Sequence, residues 1–107
     1  MLVLLDENLP HQMRHLLGQY DVRTAAYQGW SGLTNGALLK VAEEAGFAVM
    51  VTADKSLNYQ QNLKDTRLGL VVLSTKRLEV IRTNIQRIIA AIEAAMPGSS
   101  AFVDIGY

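Results

Sequence analysis

The composition of this chain is that of an ordinary globular protein, and it excludes several classes of structure. The 107 residues suit one small domain, which we expect to span residues 1–107, and 50% of them are hydrophobic. The absence of cysteine excludes disulfides and thiolate metal sites and predicts a reducing, cytoplasmic environment. No apolar stretch approaches the roughly 20 residues of a membrane helix, and a formal net charge of zero gives no overall attraction for nucleic acid, so that only a local basic patch could bind it.

The first part of the chain alternates between strand-like and helix-like apolar patterns. Leu2–Leu5 is a continuous apolar run that ends at charged residues, which is typical of a strand buried on both faces. We expect Asn8 to cap a following helix, with Pro10 in its first turn and Gly18 at its end. Residues 21–25 then form a shorter and less apolar strand, nearer the edge of the sheet.

The middle of the chain begins with a predicted loop over residues 27–36, which contains three glycines. The next helix ends at Gly46, and its apolar face carries Leu38, Leu39, Ala42 and Ala45. Residues 47–52 are the second central strand. We expect Ser56 to cap a short polar helix that continues to about Leu63.

The last third of the chain contains the clearest helix. A buried strand is predicted first, over residues 68–73. The helix then follows from apolar residues at i, i+3 and i+4 spacing, namely Val80 or Ile81, Ile85, Ile88, Ile89 and Ile92. Pro97 and Gly98 end this helix, and residues 101–105 can add a final strand, whose direction the pattern leaves open.

Strands that alternate with helices predict an α/β fold with a mostly parallel sheet of about five strands. Right-handed crossover connections place the second strand on one side of the first and the later strands on the other side. The expected strand order is therefore 2-1-3-4-5, with the switch point between the first and third strands.

Acidic residues follow both central strands. Asp6 and Glu7 come directly after the first, and Asp54 comes shortly after the second. Because the carboxyl ends of adjacent parallel strands lie at one edge, about 4.8 Å apart, we expect Asp6 and Asp54 to face one crevice. Neighbouring carboxylates repel each other unless a cation lies between them, and oxygen donors favour Mg²⁺ or Mn²⁺ over zinc. Such an ion can activate water and orient a phosphate, so these acids predict metal-dependent phosphodiester hydrolysis.

A purely structural role is the alternative for each acid. Asp6 and Asp54 could each cap the helix that follows, a contribution of about 1 kcal/mol. Glu7 could be a solvated acid in the first turn of a helix, where the helix dipole favours negative charge. The occurrence of acids at the ends of two predicted strands favours the metal-binding interpretation.

Three segments resemble the DUF5615 branch of the PIN-like domains. They are LLDENLP at residues 4–10, GWSGL at residues 29–33, and VTADKSL at residues 51–57 followed by YQQNL at residues 59–63. The resemblance implies a three-layer α/β/α fold, an acid cluster that binds Mg²⁺ or Mn²⁺, and in many members ribonuclease activity. It also implies a toxin of a bacterial toxin–antitoxin pair, with RNA as substrate and a small antitoxin protein as partner. Whether the chain forms a homodimer is left open.

Carried over residue by residue, the resemblance assigns catalytic and metal-binding roles to Asp6, Glu7 and Asp54. PIN-like proteins commonly have a further acid at the start of the middle helix, where this chain has Asn35. An amide oxygen can bind a metal but brings no charge, so we expect weaker metal affinity. A helix cap is the alternative role for Asn35. The missing charge also leaves open a non-catalytic PIN-like module that binds a protein partner.

Other residues are candidate contacts for RNA. Lys55 could bind the scissile phosphate, and Trp30 and Tyr59 could stack on unpaired bases. A solvated lysine and a tryptophan that anchors its loop on the core are the alternatives. A basic strip near the start of the long helix could bind the phosphate backbone, although a solvated helix face explains such charges equally well. The strip consists of Lys76, Arg77, Arg82 and Arg87.

A signalling domain is the alternative from another functional class. Receiver domains of response regulators share the 2-1-3-4-5 strand order and an acid pair after the first strand. They accept a phosphoryl group on an aspartate after the third strand, which Asp54 would supply, with Ser74 or Thr75 after the fourth. A receiver also needs a lysine after the fifth strand, and Ile105 is followed only by residues 106–107, glycine and tyrosine. The ribonuclease therefore remains the leading prediction.

Overall fold

Among the residues that the structure describes, five strands form one parallel sheet. The computed structural model describes residues 1–59 and 65–106, with the backbone alone at residues 58 and 59. The strands are β1 (Leu2–Leu5), β2 (Asp21–Thr24), β3 (Val49–Thr52), β4 (Gly69–Leu73) and β5 (Ser100–Val103). Their order is β2-β1-β3-β4-β5, which confirms the predicted order. The final strand, whose direction the sequence left open, is parallel to β4.

Helices cover both faces of this sheet and produce three layers. They are a 3₁₀ helix (His11–Leu17), α1 (Asn35–Glu44), a second 3₁₀ helix (Lys55–Tyr59), α2 (Leu78–Thr83) and α3 (Ile85–Ala94). The first 3₁₀ helix, α2 and α3 pack on one face through buried side chains such as Met13, Ile81 and Ile88. The other face is covered by α1 and the second 3₁₀ helix, through Leu38 and Leu57 among others. Every helix in these ranges is too short or too polar to cross a lipid bilayer.

The side chains of the central strands explain why helices cover both faces of the sheet. Successive side chains of a strand point to opposite faces, so Val3 and Leu5 enter one core cluster whereas Leu4 enters the other. All residues of β3 and β4 are buried. Continuous apolar runs of this kind are typical of parallel strands between two helical layers, and they bring the polar residues that follow them to one edge.

The long helix predicted from the isoleucine spacing is interrupted at Asn84. The backbone there departs from helical geometry, with φ −110° and ψ 20°, and the side-chain Nδ2 of Asn84 donates to the carbonyl of Val80 at 2.9 Å. The side-chain amide shares this carbonyl with the backbone N–H of Asn84, which donates to it at 3.1 Å, and α2 ends here before α3 begins. The apolar face continues across the interruption, since Ile81 and Ile88 are both fully buried. Because the spacing of the apolar residues continues across Asn84, the sequence pattern could not reveal the interruption.

The first helix differs from its prediction in type and in its cap. It is a 3₁₀ helix preceded by Pro10, and no side chain caps it. The prediction of Asn8 as its cap is wrong, because the Asn8 side chain reaches β3 instead. Its Oδ1 accepts from the backbone N–H of Ala53 at 3.3 Å, and its Nδ2 donates to Thr52 Oγ1 at 3.5 Å. Asn8 thus ties the turn after β1 to the end of β3.

Tyr20 joins the segment after the first 3₁₀ helix to α3 and provides a test of the packing at alkaline pH. Its hydroxyl donates to Glu93 Oε1 at 2.8 Å. Burial, followed by the hydrogen bond and the negative charge of Glu93, raises the pKa of Tyr20 from 10.0 to about 12. A folded-state pKa above the unfolded value means that this stabilisation is complete below pH 10.0 and is lost as the pH rises through about 12.

We therefore expect Tyr20→Phe to lose less unfolding free energy than the wild type over that alkaline range. Urea unfolding at a series of pH values measures this difference. Tyr27→Phe is the matched control, because Tyr27 is 77% exposed, and it should follow the wild type. An alkaline loss in Tyr20→Phe equal to that of the wild type would contradict the assignment.

Candidate functional site

Asp6 lies at the carboxyl edge of the sheet and is only 7% exposed. Its backbone N–H continues the sheet by donating to the carbonyl of Val51 at 2.9 Å. Its carboxylate accepts two hydrogen bonds, from the N–H of Glu7 to Oδ1 at 2.8 Å and from the hydroxyl of Thr52 to Oδ2 at 2.7 Å. A buried carboxylate needs such partners to offset the loss of water. The capping role for Asp6 is not observed, because the first 3₁₀ helix begins after Pro10.

Thr52 links Asp6 to Asp54. It is fully buried at the end of β3, where its hydroxyl donates to Asp6 and accepts from the backbone N–H of Asp54 at 2.9 Å. The acids that follow β1 and β3 therefore lie at the same edge and share one hydroxyl group as a neighbour. This arrangement follows from the pairing of β1 with β3, in which Leu5 lies opposite Val51.

The carboxylate of Asp54 is held by Ser56 and Asn35. Its Oδ1 accepts from the backbone N–H of Ser56 at 3.0 Å and from the Ser56 hydroxyl at 2.6 Å, and its Oδ2 accepts from Asn35 Nδ2 at 3.1 Å. The hydrogen bonds from Ser56, and then that from Asn35, lower the pKa of Asp54 below its ordinary value of 3.8. Asp54 is therefore ionised at neutral pH.

Asp54, and not Ser56, caps the second 3₁₀ helix. That helix begins at Lys55, and the carboxylate of Asp54 accepts from the N–H of Ser56 in the manner of a cap. The prediction of Ser56 as the cap is therefore wrong, and the structural alternative for Asp54 is observed. Capping leaves Oδ2 turned toward Asn35. The predicted continuation of this helix to Leu63 lies outside the described residues.

Asn35 occupies the first position of α1, and its amide points at Asp54. Thr34 is the cap of this helix, since its hydroxyl accepts from the N–H of Ala37 at 3.3 Å. The capping role for Asn35 is thus wrong. Its Nδ2 donates to Asp54 Oδ2 and also to Ser56 Oγ at 3.4 Å. The start of α1 therefore lies beside the acid that follows β3, with an amide in contact with the carboxylate.

The side chain of Glu7 is separate from this network, although its backbone N–H donates to Asp6. Its side chain is exposed, and Oε1 accepts from the backbone N–H of Gly32 at 3.2 Å. Gly32 has φ +83°, a backbone conformation that favours glycine. The side chain of Glu7 therefore holds a turn that few residues other than glycine could form at position 32. Glu7 does not lie in the first turn of a helix, because the first 3₁₀ helix begins at His11. Within the described residues, the side chain of Glu7 thus helps to position this loop, and its metal-binding role stays a prediction.

The described acids offer few ligands to a hard divalent cation. The described ranges contain no group of three or more His, Cys, Asp or Glu side chains placed to hold a metal ion. Mg²⁺ commonly binds through one or two carboxylates together with water and phosphate oxygens, and Asp6 and Asp54 are two such carboxylates. Three of their four oxygens accept a single described hydrogen bond and so retain a lone pair. Two carboxylates and an amide predict weaker affinity than three carboxylates.

The remaining candidate contacts differ in their surroundings. Lys55 is exposed and makes no ion pair with a described residue. Trp30 packs edge-on against Phe47, with ring centroids 5.8 Å apart and an interplanar angle of 70°, and thereby anchors its loop on the core. Stacking of Trp30 on RNA remains a prediction. The side chain of Tyr59 lies outside the described part of the chain.

Thr52 and Asn8 are the site residues that the sequence analysis missed. Thr52 carries a polar group at the end of an otherwise apolar strand, and it belongs to the Thr-x-Asp segment. A hydroxyl at the end of a buried strand, two residues before an acid, was therefore the available signal. Asn8 gave no such signal, because its partners are 44 and 45 residues away in the sequence.

Thr52→Val should destabilise the fold and disorder the acidic site. Valine has nearly the same shape, but it removes the donor to Asp6 and the acceptor for the N–H of Asp54. We expect a loss of about 2–3 kcal/mol in unfolding free energy, because a buried carboxylate oxygen and an N–H lose their partner. Thr52→Ser keeps the hydroxyl and should lose only about 1 kcal/mol. Equal stability of the two variants in urea unfolding would show that the hydroxyl is unimportant.

Comparison with known proteins finds no significant match to a family model, to a curated protein or to a solved structure. The resemblance of residues 4–10, 29–33 and 51–63 to PIN-like domains therefore remains a prediction.

Proposed function

We propose that the protein is a Mg²⁺- or Mn²⁺-dependent ribonuclease of the PIN-like type, with Asp6 and Asp54 as its metal-binding residues. The observation that supports the proposal best is the contact of one buried hydroxyl, that of Thr52, with Asp6 and with the backbone of Asp54. Acids placed in this way at adjacent strand ends occupy the edge where open α/β sheets bind ligands.

The surroundings of the two acids suit a cation. Hydrogen bonds from Ser56 and Asn35 lower the pKa of Asp54 and keep it charged. Within the described residues, neither Asp6 nor Asp54 forms a salt bridge, so their charges are available to an ion. A divalent metal bound there supplies activation of water and stabilisation of charge on the phosphate. Asn35 holds Asp54 in place, and Glu7 holds the loop that contains Gly32.

The biological setting is part of the same proposal. A ribonuclease of this size fits the toxin of a bacterial toxin–antitoxin pair that acts in the cytoplasm and is restrained by a small antitoxin. The support is the resemblance of the segments around Asp6, Trp30 and Asp54 to PIN-like toxins. Growth arrest on expression of the chain, relieved by the product of a neighbouring gene, is the result expected of a toxin.

Cleavage of RNA with defined product ends tests the enzymatic proposal. The purified protein is incubated with a pool of end-labelled single-stranded RNA of random sequence, with Mg²⁺, with Mn²⁺ or with EDTA. We expect cleavage only with a divalent ion, and products with 5′-phosphate and 3′-hydroxyl ends, because water attacks the phosphorus while the P–O3′ bond breaks and O3′ leaves as the hydroxyl group. Absence of cleavage, or EDTA-resistant cleavage that leaves 2′,3′-cyclic phosphates, would contradict the proposal.

A non-catalytic PIN-like module is the second candidate, and one observation favours it. Asn35 stands where a further acid is common in PIN-like proteins, and its amide donates to Asp54, which uses one acceptor site of a proposed metal ligand. A module of this kind would bind its protein partner whether or not Mn²⁺ is present. Failure of the protein to bind Mn²⁺ at millimolar concentration would support this second candidate.

The receiver interpretation is not favoured by the geometry around Ser74. The Ser74 hydroxyl donates to the carbonyl of Gly106 at 2.7 Å and accepts from the N–H of Ile105 at 2.9 Å. It therefore joins the end of β4 to the segment after β5.

A further inference from the structure

A cleft of about 370 Å³ opens at the carboxyl edge of the sheet, next to the acidic site. The segment after β3 contributes Lys55 to its lining, and the segment after β4 contributes Thr75, Lys76 and Arg77. Asn8 also lines the cleft, and the same residue donates to Thr52, the neighbour of Asp6 and Asp54. The cleft and the acidic site are therefore connected through two hydrogen-bonded side chains, those of Asn8 and Thr52.

The charge of this cleft is positive, although the whole chain has a formal net charge of zero. Three of its lining residues are cationic and none is acidic. Lys55 and Lys76 are exposed and form no ion pair with a described residue. Arg77 differs, because its guanidinium pairs with Glu79 at 2.6 Å. The two lysines are thus the cations of the cleft that a bound anion can neutralise without breaking an ion pair of the described chain.

The cleft also offers a neutral donor. The hydroxyl oxygen of Thr75 accepts from the backbone N–H of Arg77 at 3.2 Å, and its hydrogen is given to no described residue. Thr75 is 9% exposed, so this hydroxyl is fixed in the wall of the cleft. Two ammonium groups and a hydroxyl donor suit the oxygens of a phosphate better than a carboxylate or an apolar ligand, since phosphate presents several acceptor oxygens.

We propose that this cleft binds a backbone phosphate of the nucleic-acid strand whose neighbouring phosphate lies at Asp6 and Asp54. The inference rests on the proposed function and adds a second phosphate site, next to the site of cleavage. Contact with two phosphates would fix the direction of the strand across the end of β3. It would also supply locally the attraction for a polyanion that the net charge lacks.

Binding without cleavage tests this inference. The probe is a fluorescent single-stranded oligoribonucleotide in EDTA, where metal-dependent cleavage is silent, and anisotropy is measured at several salt concentrations. We expect Lys55→Gln and Lys76→Gln each to weaken binding by about 3- to 10-fold and to reduce the salt slope by about one. Lys40→Gln is the matched control, because Lys40 is an exposed lysine of α1 that does not line the cleft, and it should bind as the wild type does.

Further arms separate the sources of the phosphate and the two proposals. A DNA strand of the same sequence should show the same dependence on Lys55 and Lys76, because the cleft contacts the backbone. Binding of inorganic phosphate is measured as well. The inference would be overturned if the cleft variants weakened binding of inorganic phosphate alone, or if all three glutamine variants weakened binding of the strand equally. Loss of binding in Lys76→Gln together with absence of metal-dependent cleavage would support the phosphate site while rejecting the ribonuclease. Cleavage with unchanged binding in both cleft variants would do the reverse.

Discussion

Asp6→Asn and Asp54→Asn should each lower metal-dependent RNA cleavage by about 100-fold or more. A metal ion contributes several kcal/mol to stabilisation of the transition state, and each 1.36 kcal/mol corresponds to about tenfold in rate. Asparagine keeps the size of aspartate but removes the charge that holds the ion. Initial rates with labelled RNA at saturating Mg²⁺ measure the effect.

The two variants should differ in stability. Asp6 is almost buried and accepts a hydrogen bond from Thr52. In Asp6→Asn the amide turns an N–H toward the Thr52 hydroxyl, whose oxygen already accepts a hydrogen bond from the backbone N–H of Asp54. Asp54 is more exposed and should tolerate the amide better. Asp104→Asn is the matched control, because Asp104 also follows a strand, β5, and is exposed. Cleavage retained in both folded site variants would exclude the proposed mechanism.

Asn35→Asp should increase the affinity for Mn²⁺ by at least about tenfold. The substitution places a third carboxylate beside Asp54 Oδ2, where Asn35 Nδ2 now lies at 3.1 Å. Two unit charges about 4 Å apart interact by about 4 kcal/mol at an effective dielectric constant near 20, and only a part of this energy appears as affinity. Calorimetric titration with Mn²⁺ measures the gain, and the cleavage rate at low Mn²⁺ should rise with it.

The same variant should be less stable without metal. The hydrogen bond from Asn35 becomes a repulsive contact between two carboxylates, and a cation between them relieves it. Thermal unfolding should therefore show a larger stabilisation by Mn²⁺ in Asn35→Asp than in the wild type. Gly36→Asp is the matched control, because a Cβ at Gly36 meets nothing within 4 Å and the added charge stays in the same helical turn. Equal gains in the two variants would indicate general electrostatic attraction in place of a third ligand.

The sequence was sufficient to predict the strand order, because the buried strands are visible as continuous apolar runs. The apolar runs of β1, β3 and β4 are long enough to identify central strands, and right-handed crossovers then leave one strand order. The direction of β5 was not predictable, since three of its four residues are exposed and carry little pattern. The interruption at Asn84 was hidden for the opposite reason, because the buried face continues through it.

The site was predictable in its position and not in its hydrogen bonds. That Asp6 and Asp54 share an edge follows from strand pairing, which the sequence specifies. The hydrogen-bond partners of Asn8 and Asn35 are at least 19 residues away in the sequence, so local capping rules assigned both residues wrongly. Glu7 was grouped with the acids by adjacency, whereas a turn carries its carboxylate to Gly32. Local capping rules fail here where a polar side chain bonds to a group far away in the sequence in place of the nearby helix N-terminus.

Binding of Mn²⁺ is the most direct test of the central claim that Asp6 and Asp54 together hold a divalent ion. Electron paramagnetic resonance of free Mn²⁺ counts bound ions without requiring a substrate. We expect one site in the wild type, affinity weakened by at least about tenfold in Asp6→Asn and in Asp54→Asn, and unchanged binding in Asp104→Asn. Absence of binding in the wild type, or equal affinity in all four proteins, would contradict the account.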